Sequence, residues 1–471
     1  MFKKILKYIF ILWLVVTIFG APFYWPYVRM LWVFNPIVSG PDYAEPSTVA
    51  EARLQDLDYL GTFTKYDRAF SEEELAAFEA ARSSLIAHAE TLSEADFYLG
   101  IAEAVALAGN GHTNLSSRPQ YTQFNTVGVR FYSFADGVYI TTVRPDLAPL
   151  LGQRVIQINA RPVEEVISHM GKYKGGNTAW KRLAAPMLME SPELMTAAGL
   201  GEDSHSLKIE VQAADGTVTE HILQGQRAED PEAVPYRRAW HSLSPFESAS
   251  HGEDWLHVLD TVGPDIPKYM QDPAELLAYS LDSERYYLRS LGGFVAGDLS
   301  IGDAYKQMTE TLEPGSLEVL VIDFRLNDGG NYLKSIGFAK SAAQYLKPEG
   351  KLYILTGPNT FSAGIVTVAM LKYYAQGRAQ LIGEPIGDFE QFWAERGTHF
   401  LLPNSGYYVY YATGYHDWEA GCKGQPYCFT MNERHEVPAG SLAPDLLLSP
   451  TFEAYRNGQD VVLEWVQDSS N

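Results

Sequence analysis

The sequence predicts a mixed α/β protein built in several parts, and three observations carry that prediction. From about Arg285 onward, apolar strand-like runs alternate with helical periodicity, the pattern of a largely parallel sheet buried on both faces. Between about Thr122 and Gln224, short runs bounded by Gly, Pro, Asp and Asn predict a small β-rich module. Ahead of both, residues from about Asp42 to Gly109 carry apolar positions at three-to-four spacing and read as helices. A chain of 471 residues is too long for one ordinary core, so two or three domains are expected. Its 46% apolar and 20% charged residues are those of a folded globular protein. The formal charge of −22, from 36 basic and 58 acidic residues, disfavours nucleic acid as a partner.

The N-terminus differs from the rest. MFKKILKYIFILWLVVTIFGAPFYWPYV sets Lys3, Lys4 and Lys7 before a long apolar stretch. A basic start followed by such a run is an export signal, and about 20 apolar residues suffice to span a bilayer as a helix. No clean small-x-small cleavage site follows; Gly20-Ala21 is the nearest. Residues 1–35 are therefore expected to be an uncleaved signal anchor rather than a signal peptide. The lysines would stay cytoplasmic, tethering the remainder to the membrane on its periplasmic or extracellular side.

Residues 42–118 form the helical N-terminal part. SEEELAAFEAARSSLIAHAETL has an acidic first turn behind Ser71, and FYLGIAEAVALAG is a second helix ending at Gly109. NGHTNLSSRP is a polar loop. In residues 119–225 the strands are VGVRFYSF, GVYITTV, QRVIQIN and SLKIEVQA, with a helical piece around PELMTAAG. Residues 226–284 are rich in Pro, His, Ser and acidic residues and fit no pattern beyond an insert. In residues 285–471, YYLRSLGGF, LEVLVIDFR, KLYILT and AQLIGEP are strands. GDAYKQMTETL, NYLKSIGFAKSAAQYL and SAGIVTVAMLKYYAQG are helices. Sites in such sheets lie beyond the carboxyl ends of the strands.

Two loops occupy such ends. In TFSAG, Ser362 sits at a strand-to-helix joint, resembling a nucleophile elbow without its first glycine. There the next backbone N–H, of Ala363, would face the same space as the serine oxygen, half of an oxyanion hole. The plain alternative is a serine that caps the helix. In DFRLNDGGN, Gly329 or Gly330 could supply the second oxyanion donor. A serine nucleophile needs a base, and His112 in GNGHTNL stands out among 11 histidines by lying in a Gly-rich polar loop. His399, His416 and His435 are the other candidates. Glu419 in YHDWEAG and Glu436 in NERHEVPAG are the candidates for the acid that orients the base, and the sequence does not choose between them. Cys422 and Cys428, in GCKGQPYC, read as a local disulfide of an exported chain. They are too few for a zinc site, and no metal or other cofactor is implied.

Taken in order, GHTNL, VIDFRLNDGGN, TFSAGIV and LIGEPIG resemble the serine peptidases of the tail-specific (carboxyl-terminal-processing) and tricorn-core family. The closing APDLLLSPTFEAYRNGQDVVLEWV fits too, and the resemblance spans about residues 90 to 465. In LLGQRVIQINARPVEEVI the β-rich module is similar to the family's PDZ domain. The resemblance implies a crotonase/ClpP-like βα spiral as catalytic core, a PDZ-like module, a polypeptide substrate and endopeptidase chemistry. It implies Ser362 as nucleophile, with the N–H groups of Ala363, Gly329 and Gly330 as the oxyanion hole. The tail-specific branch pairs its serine with a lysine after a Gly-Glu stretch. Here that stretch reads GEPIGDFEQFW, with Asp388 near the lysine's place, and Lys372 reads as a surface residue. The tricorn-like branch, with an upstream histidine and a late glutamate, implies His112 as base and Glu419 or Glu436 behind it. Two other readings stand beside this one: an inactive peptidase-like binding protein, and an α/β-hydrolase-type esterase with a downstream histidine.

Overall fold

The three N-terminal helices start where the sequence offers an oxygen to their orphan N–H groups. Thr48 caps Val49–Leu60, and Ser71 and Ser93 form capping boxes with Glu74 and Asp96 ahead of Glu72–His88 and Glu94–Ala106. The chain is described here from a computed structural model, for residues 24, 25, 27–232, 234, 236–246, 255–272, 276–292 and 300–469. The expected anchor falls mostly on residues 1–23 and 26, outside the described residues. Among the described residues no helix is long and apolar enough to cross a membrane.

The third helix buries Leu99, Ile101, Ala102 and Val105 in a core shared with the β-rich module. Phe400, Leu402, Tyr407, Val409 and Tyr411 join the same core from late in the chain. Asn114–Leu115 pairs antiparallel with Tyr408–Tyr410, which pairs with Phe400–Leu401. A segment expected to belong to the C-terminal α/β part therefore returns to complete the N-terminal one.

The β-rich module is an antiparallel sheet in the order Val129–Phe134, Gly137–Val143, Arg154–Ile158, Ser206–Gln212, Val218–Gln224. The last strand escapes the sequence reading because it is an edge strand with Leu223 as its one buried residue. The helices Val163–Met170 and Thr178–Met189 are also unforeseen, the latter carrying Pro186 within it. Residues 226–284 hold short helical turns and the strands Leu256–His257 and Ala278–Ser280. They dock partly through Arg237, which joins Arg130 on the buried carboxylate of Glu190.

The C-terminal sheet has the order Leu446–Leu447, Ala379–Gly383, Leu346–Thr356, Leu317–Asp323, Arg285–Arg289, Ala278–Ser280. All neighbours are parallel except the last pair. Leu320, Val321, Ile322, Ile354 and Leu355 are fully buried, as a parallel sheet covered on both faces requires. The helices Ile301–Met308, Ile336–Ser341 and Ala363–Tyr374 cover one face, and Val461–Ser469 the other. NYLKSIGFAKSAAQYL breaks into Tyr332–Lys334, Ile336–Ser341 and Ala342–Tyr345 instead of one helix. Ser335 and Ser341 donate back to the carbonyls of Tyr332 and Gly337, which competes with a regular helical ladder. Three loops leave the carboxyl ends of adjacent strands and are tied side by side. Thr360 Oγ1 donates to Phe324 O, Phe361 N to Asn327 O and Gly387 N to Thr360 O, each at 2.9 Å.

Candidate active site

Ser362 begins the helix Ala363–Tyr374 and does not cap it. The capping serines Ser71 and Ser93 have φ near −70° and ψ 169°, and their hydroxyls accept an N–H of the first turn. Ser362 has φ +53°, ψ −122° and no capping hydrogen bond. A positive φ is uncommon for a residue with a Cβ and carries a strain cost of order 1–3 kcal/mol. The turn is braced by Asn327, whose carbonyl accepts from Phe361 N and whose Nδ2 donates to Ser290 Oγ and Leu291 O, both at 2.9 Å.

The NDGG turn lies directly against this serine. Gly329 has φ +106°, and a Cβ there would stand 2.6 Å from Ser362 Cβ, so glycine is required for the approach. Gly329 N already donates to Asn327 Oδ1 at 3.1 Å. The N–H groups of Gly330 and Ala363 have no acceptor among the described residues. Of the three expected oxyanion donors, these two are free to serve.

The GNGHTNL loop is built from side-chain bonds to distant backbone. Asn110 Nδ2 donates to Trp393 O and Trp393 N donates to Asn110 Oδ1, both at 3.0 Å, a two-point clamp onto the strand Gln391–Ala394. Thr113 Oγ1 donates to the buried Asp67 at 2.7 Å, and that carboxylate also accepts from Ala412 N at 2.8 Å. Burial outweighs these bonds and pushes the Asp67 carboxyl up to about 6. Asn114 Oδ1 accepts from Gly175 N, and its Nδ2 donates to Gly111 O.

His112 is thereby fixed between two phenyl rings, with Phe361 at 4.5 Å and Phe392 at 5.2 Å between ring centres. The stack continues outward to Trp180 beyond Phe361, and to His416 and Phe429 beyond Phe392. Such a column holds the imidazole plane and leaves only its edges free to act. Nδ1 lies 3.4 Å from Asp388 Oδ2, and the Asp388 side chain is wholly buried. That contact is one of distance only: Nδ1, Nε2 and Asp388 Oδ2 are all buried with no hydrogen-bond partner among the described residues. Buried polar atoms are rarely left so, and Phe361, on which the ring stacks, is the residue before Ser362.

The carboxylate at His112 is thus Asp388, which belonged to none of the expected roles. Glu419 accepts instead from Gln391 Nε2 at 2.6 Å. Glu436 accepts from the N–H groups of Cys422 and Lys423, shaping the loop closed by the Cys422–Cys428 disulfide. Asp388 reaches the imidazole because residue 111 is glycine; a Cβ there would collide with Asp388 Oδ2 and the Phe361 ring. Asn177 fixes the loop of Asp388, donating from Nδ2 to the carbonyls of Ile386 and Asp388 at 2.9 Å each. The signal for Asp388 was its place after GEPIG; no sequence pattern pointed to Asn177. Lys372 turns to the carbonyl of Ser441. Of the downstream histidines, His416 lies in the aromatic column 3.5 Å from Glu395, with burial lowering its pKa, and His399 packs on Tyr408.

No protein-family model matches the sequence, and no curated protein matches it. Solved structures do match. Mature CPAF complexed with lactacystin superposes with a TM-score of 0.56 at 12% identity, over 90% of this chain and 98% of that one. Mature CPAF alone gives 0.55 at 14%, over 90% and 97%. The photosystem II D1 C-terminal processing protease gives 0.37 at 14%, over 87% and 98%. The chain therefore shares the mixed α/β, multi-sheet fold of CPAF along nearly its whole length.

Proposed function

We propose that the protein is a serine endopeptidase acting through an acyl-enzyme on Ser362. His112 takes the Ser362 proton through Nε2 as the oxygen attacks a peptide carbonyl. The N–H groups of Ala363 and Gly330 receive the developing oxyanion. The imidazolium then protonates the leaving amine, and water, activated by the same nitrogen, hydrolyses the ester. Asp388 holds the ring through Nδ1 and balances its charge, the part first expected of Glu419 or Glu436. The observation that carries this reading is the buried pair His112–Asp388, at 3.4 Å, with the imidazole stacked on Phe361, the residue before a serine whose backbone is strained rather than capped. In the free enzyme such contacts are often loose and tighten with substrate.

We assign the catalytic part to residues 285–471, with residues 42–118 supplying the base and residues 119–225 acting as the PDZ-like module. The basic-then-apolar N-terminus supports export and tethering, with the catalytic part outside the cytoplasm, and the disulfide suits an oxidising compartment. A fluorophosphonate probe tests the chemistry: it should label wild type and neither Ser362→Ala nor His112→Ala. Equal labelling of Ser362→Ala sinks the assignment. Digestion of the C-terminal part by protease added to spheroplasts, with loss of the membrane-bound fraction on deleting residues 1–35, tests the tether; protection there overturns it.

A further inference from the structure

Beside the catalytic loops lies a cavity of about 310 Å³, between the β-rich module and the ends of the parallel strands. Its walls include Tyr132, Phe134, Arg182, Pro358, Glu384 and Ser449. Two elements link it to the proposed catalytic site. The helix Thr178–Met189 lines it with Arg182 and Leu183 while its Trp180 stacks on Phe361. The loop after Thr356 lines it with Pro358, four positions before Ser362. Four residues of chain bridge at most about 14 Å, so a peptide held at Ser362 can reach the cavity with a side chain a few residues from the bond cleaved.

Glu384 is the group in this cavity without a counter-charge of its own. Its backbone is held on both sides, N–H to Thr356 O at 3.0 Å and carbonyl from Thr356 Oγ1 at 2.9 Å, which fixes where its carboxylate stands. Two guanidiniums act on it, Arg182 and Arg325. Both are committed elsewhere: Arg182 donates twice to Glu164, and Arg325 is shared by Asp323 and Asp460. Two cations thus face four carboxylates. Among the described residues Glu384 forms no ion pair of its own, and Ser449 lines the cavity with it. Burial pushes the Glu384 carboxyl up, the mark of a charge taken from water without full compensation.

Resting on the peptidase reading above, we propose that this cavity is a substrate subsite for a cationic side chain. It receives a lysine or arginine within about four residues of the cleaved bond, with Glu384 as its counter-ion. Tyr132, Phe134 and Pro358 pack along the apolar stem while the charged head meets the carboxylate.

The test is binding, read apart from cleavage. Alanine-based peptides with one lysine or one norleucine walked along the chain are titrated against Ser362→Ala protein. At one position lysine should tighten binding roughly tenfold over norleucine, as expected for a partly buried charge pair. Glu384→Gln in the same background should erase that gain, and Arg182→Gln, which removes an opposing cation, should widen it. Lowering the pH through the raised pKa of Glu384 should shrink it. No gain at any position, or a gain that survives Glu384→Gln, overturns the proposal. Wild-type cleavage of the same peptides separates the two ideas. Lysine-selective, Glu384-dependent binding without cleavage keeps the subsite and removes the peptidase. Cleavage without lysine-selective binding does the reverse.

Discussion

The loop of Ser362 is held by its neighbours in one sheet, through Asn327, Thr360 and the tight approach of Gly329. The loop of His112 is held from far along the chain. Asn110 binds Trp393, 283 positions away, and Asp67 binds Ala412, 345 positions away. Asn177 holds the loop of Asp388 from 211 positions away. The serine side is a product of strand-to-helix geometry, and its strain is stored within a few residues. The histidine side exists only when the N-terminal helices, the β-rich module and the late segment 391–412 have all docked. The difference teaches that the proposed nucleophile can be preformed while the proposed base is assembled by tertiary closure.

This comparison can be broken at either side. The largest effect is expected from Ser362→Ala or His112→Ala, each lowering kcat by about 10⁴-fold or more; the melting curve should stay unchanged in Ser362→Ala and shift down in His112→Ala, which empties the space between Phe361 and Phe392. Asp388→Asn should cost about 10³- to 10⁴-fold in kcat, because an amide can favour the wrong imidazole tautomer. A near-normal rate for that variant, paired with a large loss in Glu419→Gln or Glu436→Gln, would return the acid's role to a glutamate.

The next effect sharpens the contrast between the regions. Gly111→Ala puts a methyl where Asp388 and Phe361 meet, and a misplacement on the scale of 1 Å costs about 10²-fold in kcat. Asn110→Ala leaves the serine loop untouched but strips the His112 loop of its clamp. It should lower stability by about 1–3 kcal/mol in denaturant unfolding, with the carbonyl and N–H of Trp393 left unpaired. A larger stability loss from Asn327→Ala than from Asn110→Ala would not disturb the scheme, whereas full activity in Asn110→Ala would.

The smallest effect concerns pH. The folded-state pKa of Asp67, about 6, lies above its ordinary value of 3.8. The fold thus favours the protonated acid, and the stability it contributes is full below about 3.8 and lost as pH rises through about 6. Melting temperatures between pH 4 and 6 should fall less steeply with pH in Asp67→Asn than in wild type. Parallel slopes would show that Asp67 does not titrate there.

The sequence by itself determined the elements whose signals are local. The capping boxes at Ser71 and Ser93, the apolar strands around Val321 and Ile354, and the elbow at Ser362 are each written within a dozen residues. Those signals are strong because period, cap and turn chemistry act over short spans. Only the tertiary structure decided that Ser362 is strained rather than a cap, since the same residue type serves both purposes and φ is set by what packs around it. Only it placed Asp388, rather than Glu419 or Glu436, against His112. That choice rests on the missing Cβ of Gly111 and on two bonds from Asn177, contacts between parts of the chain that no local pattern relates. An orienting carboxylate needs a position and not a motif, so the residues that grant the position, a glycine and an asparagine far from it, decide which acid serves.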